Sequence, residues 1–219
     1  LLLNSSNGFK DESTNNHTVT INGSPKVTPF SPFKNNDART LATDGGSGYF
    51  EYGGANALSV PANTNINLST GDFTIEMWVY LDSKIDDSKL YLDIDGVGSY
   101  WQLHWKDSYG GWSLRSSTLG FIISNGTASN VNVGEWQHIA LTRSGSNFKI
   151  WRNGELYGTG TSSSSIGTFN NKFIGGWSGA TTTSLDGYIS DFRLTKGTAL
   201  YTSSFTPPTS PISAGANTE

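Results

Sequence analysis

Apolar and polar residues alternate along this chain far more often than they recur at helical spacing. In FTIEMWVYL, residues 73–81, Phe73, Ile75, Met77, Val79 and Leu81 fall on one face and Thr74, Glu76, Trp78 and Tyr80 on the other. A period of two predicts a β-strand. Large rings and a carboxyl on the second face predict a surface that meets a covering loop or a ligand rather than plain solvent. GEWQHIALTRSGSNFKIWRNGELYG, residues 134–158, predicts two strands about a polar tip, ending in an Asn153-Gly154 turn. Further strand patterns lie at TVTI (18–21), GYFEYG (48–53), LYLDI (90–94), YWQLHW (100–105) and WSLRS (112–116). GFIIS (120–124), KFIGGW (172–177) and GYISDFRL (187–194) complete the set.

Asn22-Gly23, Asp95-Gly96, Asn125-Gly126, Asn153-Gly154 and Asp186-Gly187 punctuate these strands. Such dipeptides accept the positive φ angles of tight hairpins, so the pattern predicts a mostly antiparallel all-β fold. The one helical turn it suggests is TKGTALYTSSF, residues 195–205, where Gly197 and β-branched neighbours weaken even that.

Composition sharpens the picture. Only 15% of the 219 residues are charged and 26 are glycine, which suits many short strands and tight turns in one large sandwich. The net charge of −4 comes without a basic run, which argues against nucleic acid as a partner. No apolar stretch approaches the roughly 20 residues of a membrane-spanning helix, so helical membrane insertion is not expected. Cysteine is absent, which removes disulfides and thiolate metal sites. The start LLLNSSNGFKDES and the end TPPTSPISAGANTE read as a module cut from a longer protein, with a domain over 1–209 and a linker-like tail over 210–219.

GDFTIEMWVYL, the 134–158 stretch and LDGYISDFRLTKGTALYTSSFTPPTSP, taken in order with LLLNSSNGFKDEST and FSPF near the start, resemble the laminin G-like branch of the concanavalin A-like lectin and glucanase superfamily. The resemblance covers about residues 1–209 and implies a two-sheet antiparallel jelly-roll sandwich. The variant ending in DFRLTKGTALYTSSFTPP looks like modules of phage and marine viral structural proteins. It implies a place at a virion surface or outside the cell. Superfamily members often carry a structural calcium, and the matching positions are Asn7 and Asp11 in the first loop with Asp186 and Asp191 around LDGYISDF. The simpler role for Asp191 is to accept backbone N–H groups near a strand end.

Catalytic chemistry is sparse. The hydrolase branch of the superfamily carries an E-x-D-x-x-E strand motif, and nothing here matches it. Asp93 and Asp95 are the one acidic i, i+2 pair in a strand context; the favoured reading makes Asp93 a solvated strand end and Asp95 a turn opener. His17, His104 and His138 lack a G-x-S-x-G elbow or comparable partner, and His138 reads as a packing residue.

The aromatics say more. Sugar rings stack apolar C–H faces on Trp and Tyr while their hydroxyls bond to amides, carboxylates and guanidinium groups. YWQLHWKDSYGGW, residues 100–112, supplies both kinds, including Asp107 and Tyr109. With Trp101, Leu103 and Trp105 turned inward, Tyr100, Gln102 and His104 point out. The expected platform joins Trp78, Tyr80, Tyr100, Gln102, His104 and Arg115, with Trp151 and Trp177 as a second group. The function these residues favour is a non-catalytic glycan-binding or adhesion module on a phage fibre, tail or capsid surface, meeting a polysaccharide. The alternative is a structural or decoration module whose aromatics contact other virion subunits, the parent protein or a second copy. A glycoside hydrolase stands third.

Overall fold

The computed structural model describes residues 2–4, 8–33, 45–95, 98–106, 111–124, 132–167 and 171–213; Asn7, Gly96, Asp107, Tyr109, Asn125 and Gly126 lie outside them. Sixteen strands follow in chain order: β1 (Leu2–Asn4), β2 (Lys10–Asp11), β3 (Thr20–Asn22), β4 (Lys26–Thr28), β5 (Ser47–Phe50) and β6 (Ala57–Pro61). Next come β7 (Phe73–Leu81), β8 (Ser88–Ile94), β9 (Tyr100–Lys106), β10 (Gly111–Ser116) and β11 (Gly120–Ile123). β12 (Trp136–Ser144), β13 (Asn147–Arg152), β14 (Glu155–Thr161), β15 (Asn171–Ile174) and β16 (Gly187–Lys196) close the series. All pairings are antiparallel. One sheet of nine strands runs β14-β13-β12-β7-β16-β1-β2, with β5 also on β16 and β4 on β5; the other, of seven, runs β11-β10-β9-β8-β15-β6-β3.

The two sheets bury one another's inner faces. Phe73, Ile75, Met77, Val79 and Leu81 of β7 are all at most 1% exposed and meet Tyr91, Trp101, Leu103, Trp105, Trp112 and Leu114 from the other sheet. The predicted inward set of β9 is therefore correct. One charged pair sits in this apolar layer: Lys172 Nζ lies 3.0 Å from Asp93 Oδ1, with both side chains fully buried. Asp93 is thus no solvated strand end. Trp101 Nε1 donates to its other oxygen at 3.1 Å, and Lys172 also reaches Asn67 Oδ1 at 3.2 Å. Satisfying both charges this way is what makes a buried pair tolerable.

The hairpin expectation holds where strands are sequential in one sheet. Asn153 and Gly154 have φ of 51° and 82°, the two positive values of a type I′ turn, and join β13 to β14. Asn22-Gly23 instead carries the chain from β3 in one sheet to β4 in the other, and Asp186-Gly187 leads across from β15 to β16. Turn chemistry specifies the local bend, not the sheet in which the next strand pairs.

The helical turn expected at 195–205 does not form. After β16 the chain is an extended strap over the outer face of the nine-stranded sheet, held by Leu200 N–H to Thr74 Oγ1 at 2.8 Å, Lys149 Nζ to Thr202 O at 2.8 Å and Phe205 N–H to Gly154 O at 3.0 Å. A Cβ on Gly154 would stand 1.8 Å from Phe205 O, so only glycine admits the strap there. Among the described residues the one helical turn is 3-10, Thr64–Ile66. The strap extends into the expected tail: Ile212 is 7% exposed and its N–H donates to Asp191 Oδ1 at 2.8 Å.

Candidate functional site

The outer face of the seven-stranded sheet carries a groove. Beyond a bulge between Lys89 and Tyr91, β8 turns Leu92 and Ile94 outward while Tyr91 and Asp93 go inward. β15 adds Phe173, which pairs with Leu92, and β6 adds Ala57. This apolar strip is flanked by the partly buried rings of Tyr100 and Trp177. A pocket of about 200 Å³ opens along it, with Asp87, Lys89, Gln102 and Thr183 as its polar lining.

Each functional side chain has an identifiable support. Trp177 follows β15 in a tight loop where Ala180 N–H bonds back to Trp177 O at 3.1 Å. Gly179 lies against the indole so closely that a Cβ would stand 2.5 Å from it, so the loop folds onto the ring only because that residue lacks a side chain. Asp87 sits at φ 71° and receives three partners: His104 Nδ1 at 2.7 Å, Gln102 Nε2 at 3.4 Å and Lys89 Nζ at 3.1 Å. Burial alone would push its carboxyl up, but the His104 hydrogen bond and the Lys89 ammonium outweigh that and hold it well below the usual carboxylate range. Asp87 is therefore a fixed anionic acceptor. Burial pushes His104 down, which favours the neutral ring donating through Nδ1.

Of the expected site residues, Tyr100, Gln102 and Trp177 line this groove; His104 lies beneath it, fully buried, and acts through Asp87. Arg115 stacks over Tyr100 at 5.8 Å and over Phe121 at 5.4 Å. Trp78 and Tyr80 do not join them. β7 belongs to the other sheet, so its outward side chains face the opposite side of the sandwich. Trp151 is on that side too, 2% exposed beneath Phe205 at 5.9 Å, with Nε1 bonded to Thr142 Oγ1, and it is framework rather than a recognition surface. Asp87, Lys89 and Thr183 went unpredicted. The bulge breaks the alternation that would have marked Lys89 as outward, and nothing local ties Asp87 to β9.

Under the strap, Glu76 is the hub of a buried network. It accepts Arg193 Nε at 2.8 Å, Tyr201 Oη at 2.7 Å and His138 Nε2 at 3.1 Å. Tyr201 and Phe205 stack at 3.6 Å and roof His138. Glu76 and His138 are fully buried, so this cluster ties strap to sheet and has no route to a substrate.

Of the four residues expected around a calcium, Asn7 lies outside the described residues and the three carboxylates carry protein partners. Asp11 spends its oxygens on Ser13 N, Ser13 Oγ and His17 N at 2.9, 2.8 and 2.7 Å. Asp186 accepts Ser83 Oγ, and Asp191 accepts Ile212 N–H. Among the described residues, no three His, Cys, Asp or Glu side chains converge as metal ligands. Asp191, at φ 51° in the bulge of β16, is a buried carboxyl of another kind. Ser190 Oγ lies 2.5 Å from its Oδ2 and 2.7 Å from Gly46 O. One hydroxyl proton cannot serve both acceptors. Below the carboxyl's pKa a proton on Asp191 donates to Ser190, which donates to Gly46; above it, Ser190 donates to the carboxylate instead. Burial, with the Glu12 and Glu76 charges adding to it, pushes this carboxyl up to about 6.

A family model described as the concanavalin A-like lectin/glucanases superfamily matches residues 52–200, from the loop after β5 to the start of the strap. The chain belongs to that superfamily. Its concanavalin A-like sandwich is shared with domain 4 of AbnA, a GH43 extracellular arabinanase from Geobacillus stearothermophilus solved with arabinotriose, at TM-score 0.64 and 16% identity over 90% of this chain and 92% of that one. The botulinum neurotoxin serotype G binding domain matches at TM-score 0.58 and 16% identity over 91% of this chain; this chain spans 48% of that domain. Trypanosoma rangeli sialidase in complex with the inhibitor DANA matches at TM-score 0.51 and 16% identity over 74% of this chain and 26% of the enzyme. At such identities the likeness is one of fold, shared by enzymes and binding domains alike. A search of curated protein sequences finds no match.

Proposed function

We propose that this concanavalin A-like domain is a non-catalytic carbohydrate-binding module and that the Trp177–Tyr100 groove is its binding site. The observation that carries the reading is the groove itself: an apolar strip between two rings, ended by an anionic acceptor and by amide, ammonium and hydroxyl donors. That is the pairing a sugar needs, C–H faces on rings and hydroxyls on fixed polar groups. The likeness to an AbnA domain solved with arabinotriose supports a glycan as the ligand.

The non-catalytic part rests on the carboxylates. Glycoside hydrolysis needs two carboxyls about 5–9.5 Å apart across the scissile bond. Asp93 is sealed inside the sandwich on Lys172, Asp95 closes the β8–β9 turn on Ser99 N–H at 3.0 Å, and Asp86 is spent on Lys106 at 3.0 Å. Among the described residues lining the groove, Asp87 is the one carboxylate. The same reading puts the parent protein at a virion or other extracellular surface, where polysaccharide is met.

Affinity electrophoresis through gels containing arabinan, xylan, galactan or β-glucan tests the proposal. Retardation by at least one polysaccharide is expected, lost in Trp177→Ala, with no release of reducing ends. No retardation in any gel, or retardation that Trp177→Ala leaves intact, would reject the groove.

A further inference from the structure

The opposite side of the sandwich is covered by the strap only in part. Where the roof stops, a cleft of about 570 Å³ remains, within the range of about 300–1,000 Å³ typical of small-ligand sites. Trp78 of β7 and Trp136 of β12 form its floor. Pro32 and Phe33 make one wall, the strap residues Thr206, Pro207, Pro208 and Thr209 the other, and Asn153 closes the end.

Three features say what this cleft accepts. First, none of its nine lining residues is charged, so an ionic ligand would lose its hydration there without a partner. Second, a donor stands at its end. Exposed Asn153 has already committed Oδ1 to the His138 N–H at 2.8 Å, which leaves its amide N–H groups for an acceptor on the ligand. Third, the walls are preformed. Pro32, Pro207 and Pro208 fix their own φ angles, and Phe33 packs edge-on to Trp78 at 6.0 Å, so little ordering remains for binding to impose.

We infer that the Trp78–Trp136 cleft is a second ligand site, for an uncharged saccharide ring whose apolar face lies on the indole rings and whose hydroxyl or ring oxygens accept from the Asn153 amide. A charged sugar is disfavoured by the neutral lining. The inference stands independently of the Trp177 groove, from which the whole thickness of the sandwich separates it.

The seven tryptophans give seven indole N–H signals in a ¹⁵N–¹H spectrum, and Trp78→Phe and Trp136→Phe assign two of them. Both changes keep a ring in place and remove only the N–H and part of the indole. The probes are neutral di- and trisaccharides from arabinan, xylan, galactan and β-glucan, sialyllactose as a charged control, and a proline decapeptide. Saturable movement of both signals with a neutral sugar is expected, retained in Trp177→Ala, weakened at least tenfold in Trp78→Phe and several-fold in the exposed Thr209→Val. Movement with the proline peptide alone would make the cleft a peptide site and overturn the inference. So would movement lost in Trp177→Ala, a preference for sialyllactose, or no movement with any neutral sugar.

Discussion

The two outer faces of this sandwich are built from the same residue types and put them to different use. On the seven-stranded side, Trp177 and Tyr100 pack against an apolar strip whose residues are at most 7% exposed, and a pocket opens beside them with the charged groups at its edge around Asp87. On the nine-stranded side, the strap folds down so that Glu76, His138, Arg193 and Tyr201 form one buried network beneath stacked rings. Aromatic and ionisable residues on a β-face therefore do not distinguish a binding surface from a structural seam. What distinguishes them is whether another part of the chain lies on top.

The largest test of that contrast is Glu76→Gln. Removing the charge under the strap strands Arg193 and should cost about 3–5 kcal/mol of stability, measured by urea unfolding at pH 7. Burial pushes the Glu76 carboxyl up, but His138, Arg193 and Tyr201 prevail and hold it below its ordinary value. Its contribution is present above the ordinary carboxylate range and lost as pH falls, so the cost of the substitution should shrink in acid. An equal cost at pH 3 would contradict the network as described.

Asp191 has the opposite sign. Its folded value of about 6 stands above the ordinary 3.8, so its stabilisation is complete below about pH 3.8 and is lost as pH rises through about 6. Asp191→Asn copies the protonated carboxyl at a φ that Asn tolerates. It should match the wild type near pH 4 and exceed it at pH 8 by on the order of 2–3 kcal/mol, read from unfolding curves at both values.

On the open side the effects move from stability to affinity. Trp177→Ala should weaken polysaccharide binding at least tenfold, about 1.4 kcal/mol, by calorimetry, with a smaller loss of stability than Glu76→Gln produces. The smallest effect is Arg115→Ala. A half-buried cation over the Tyr100 ring is worth about 0.5–1 kcal/mol, so binding should fall by no more than about fivefold while unfolding changes little.

How much of this was legible beforehand depended on range. Period-two alternation placed the inward sets of β7 and β9 correctly, because side-chain parity is a local property of a strand. The mixed face of β7 was rightly marked as covered or binding, yet which of the two could not be read, since the cover comes from residues more than 100 positions away. Trp78 and Tyr100 were joined in one platform because each points outward. Outward means opposite directions in two stacked sheets, and strand order is a non-local property. Trp177 and Tyr100 meet only because β8 lies between β9 and β15. Lys89 was hidden by a one-residue bulge, Asp93 by a buried partner that sits 79 positions along the chain.

The anchoring of β16 has a mechanical consequence. Leu3 of β1 pairs with Phe192, and Ile212 at the far end of the strap is held by Asp191, the residue before it. A pull between these two points is borne first by adjacent positions of a single strand. The groove and the cleft both lie off that load path, so tension along a tethered chain would peel β1 or free Ile212 before it bent either surface.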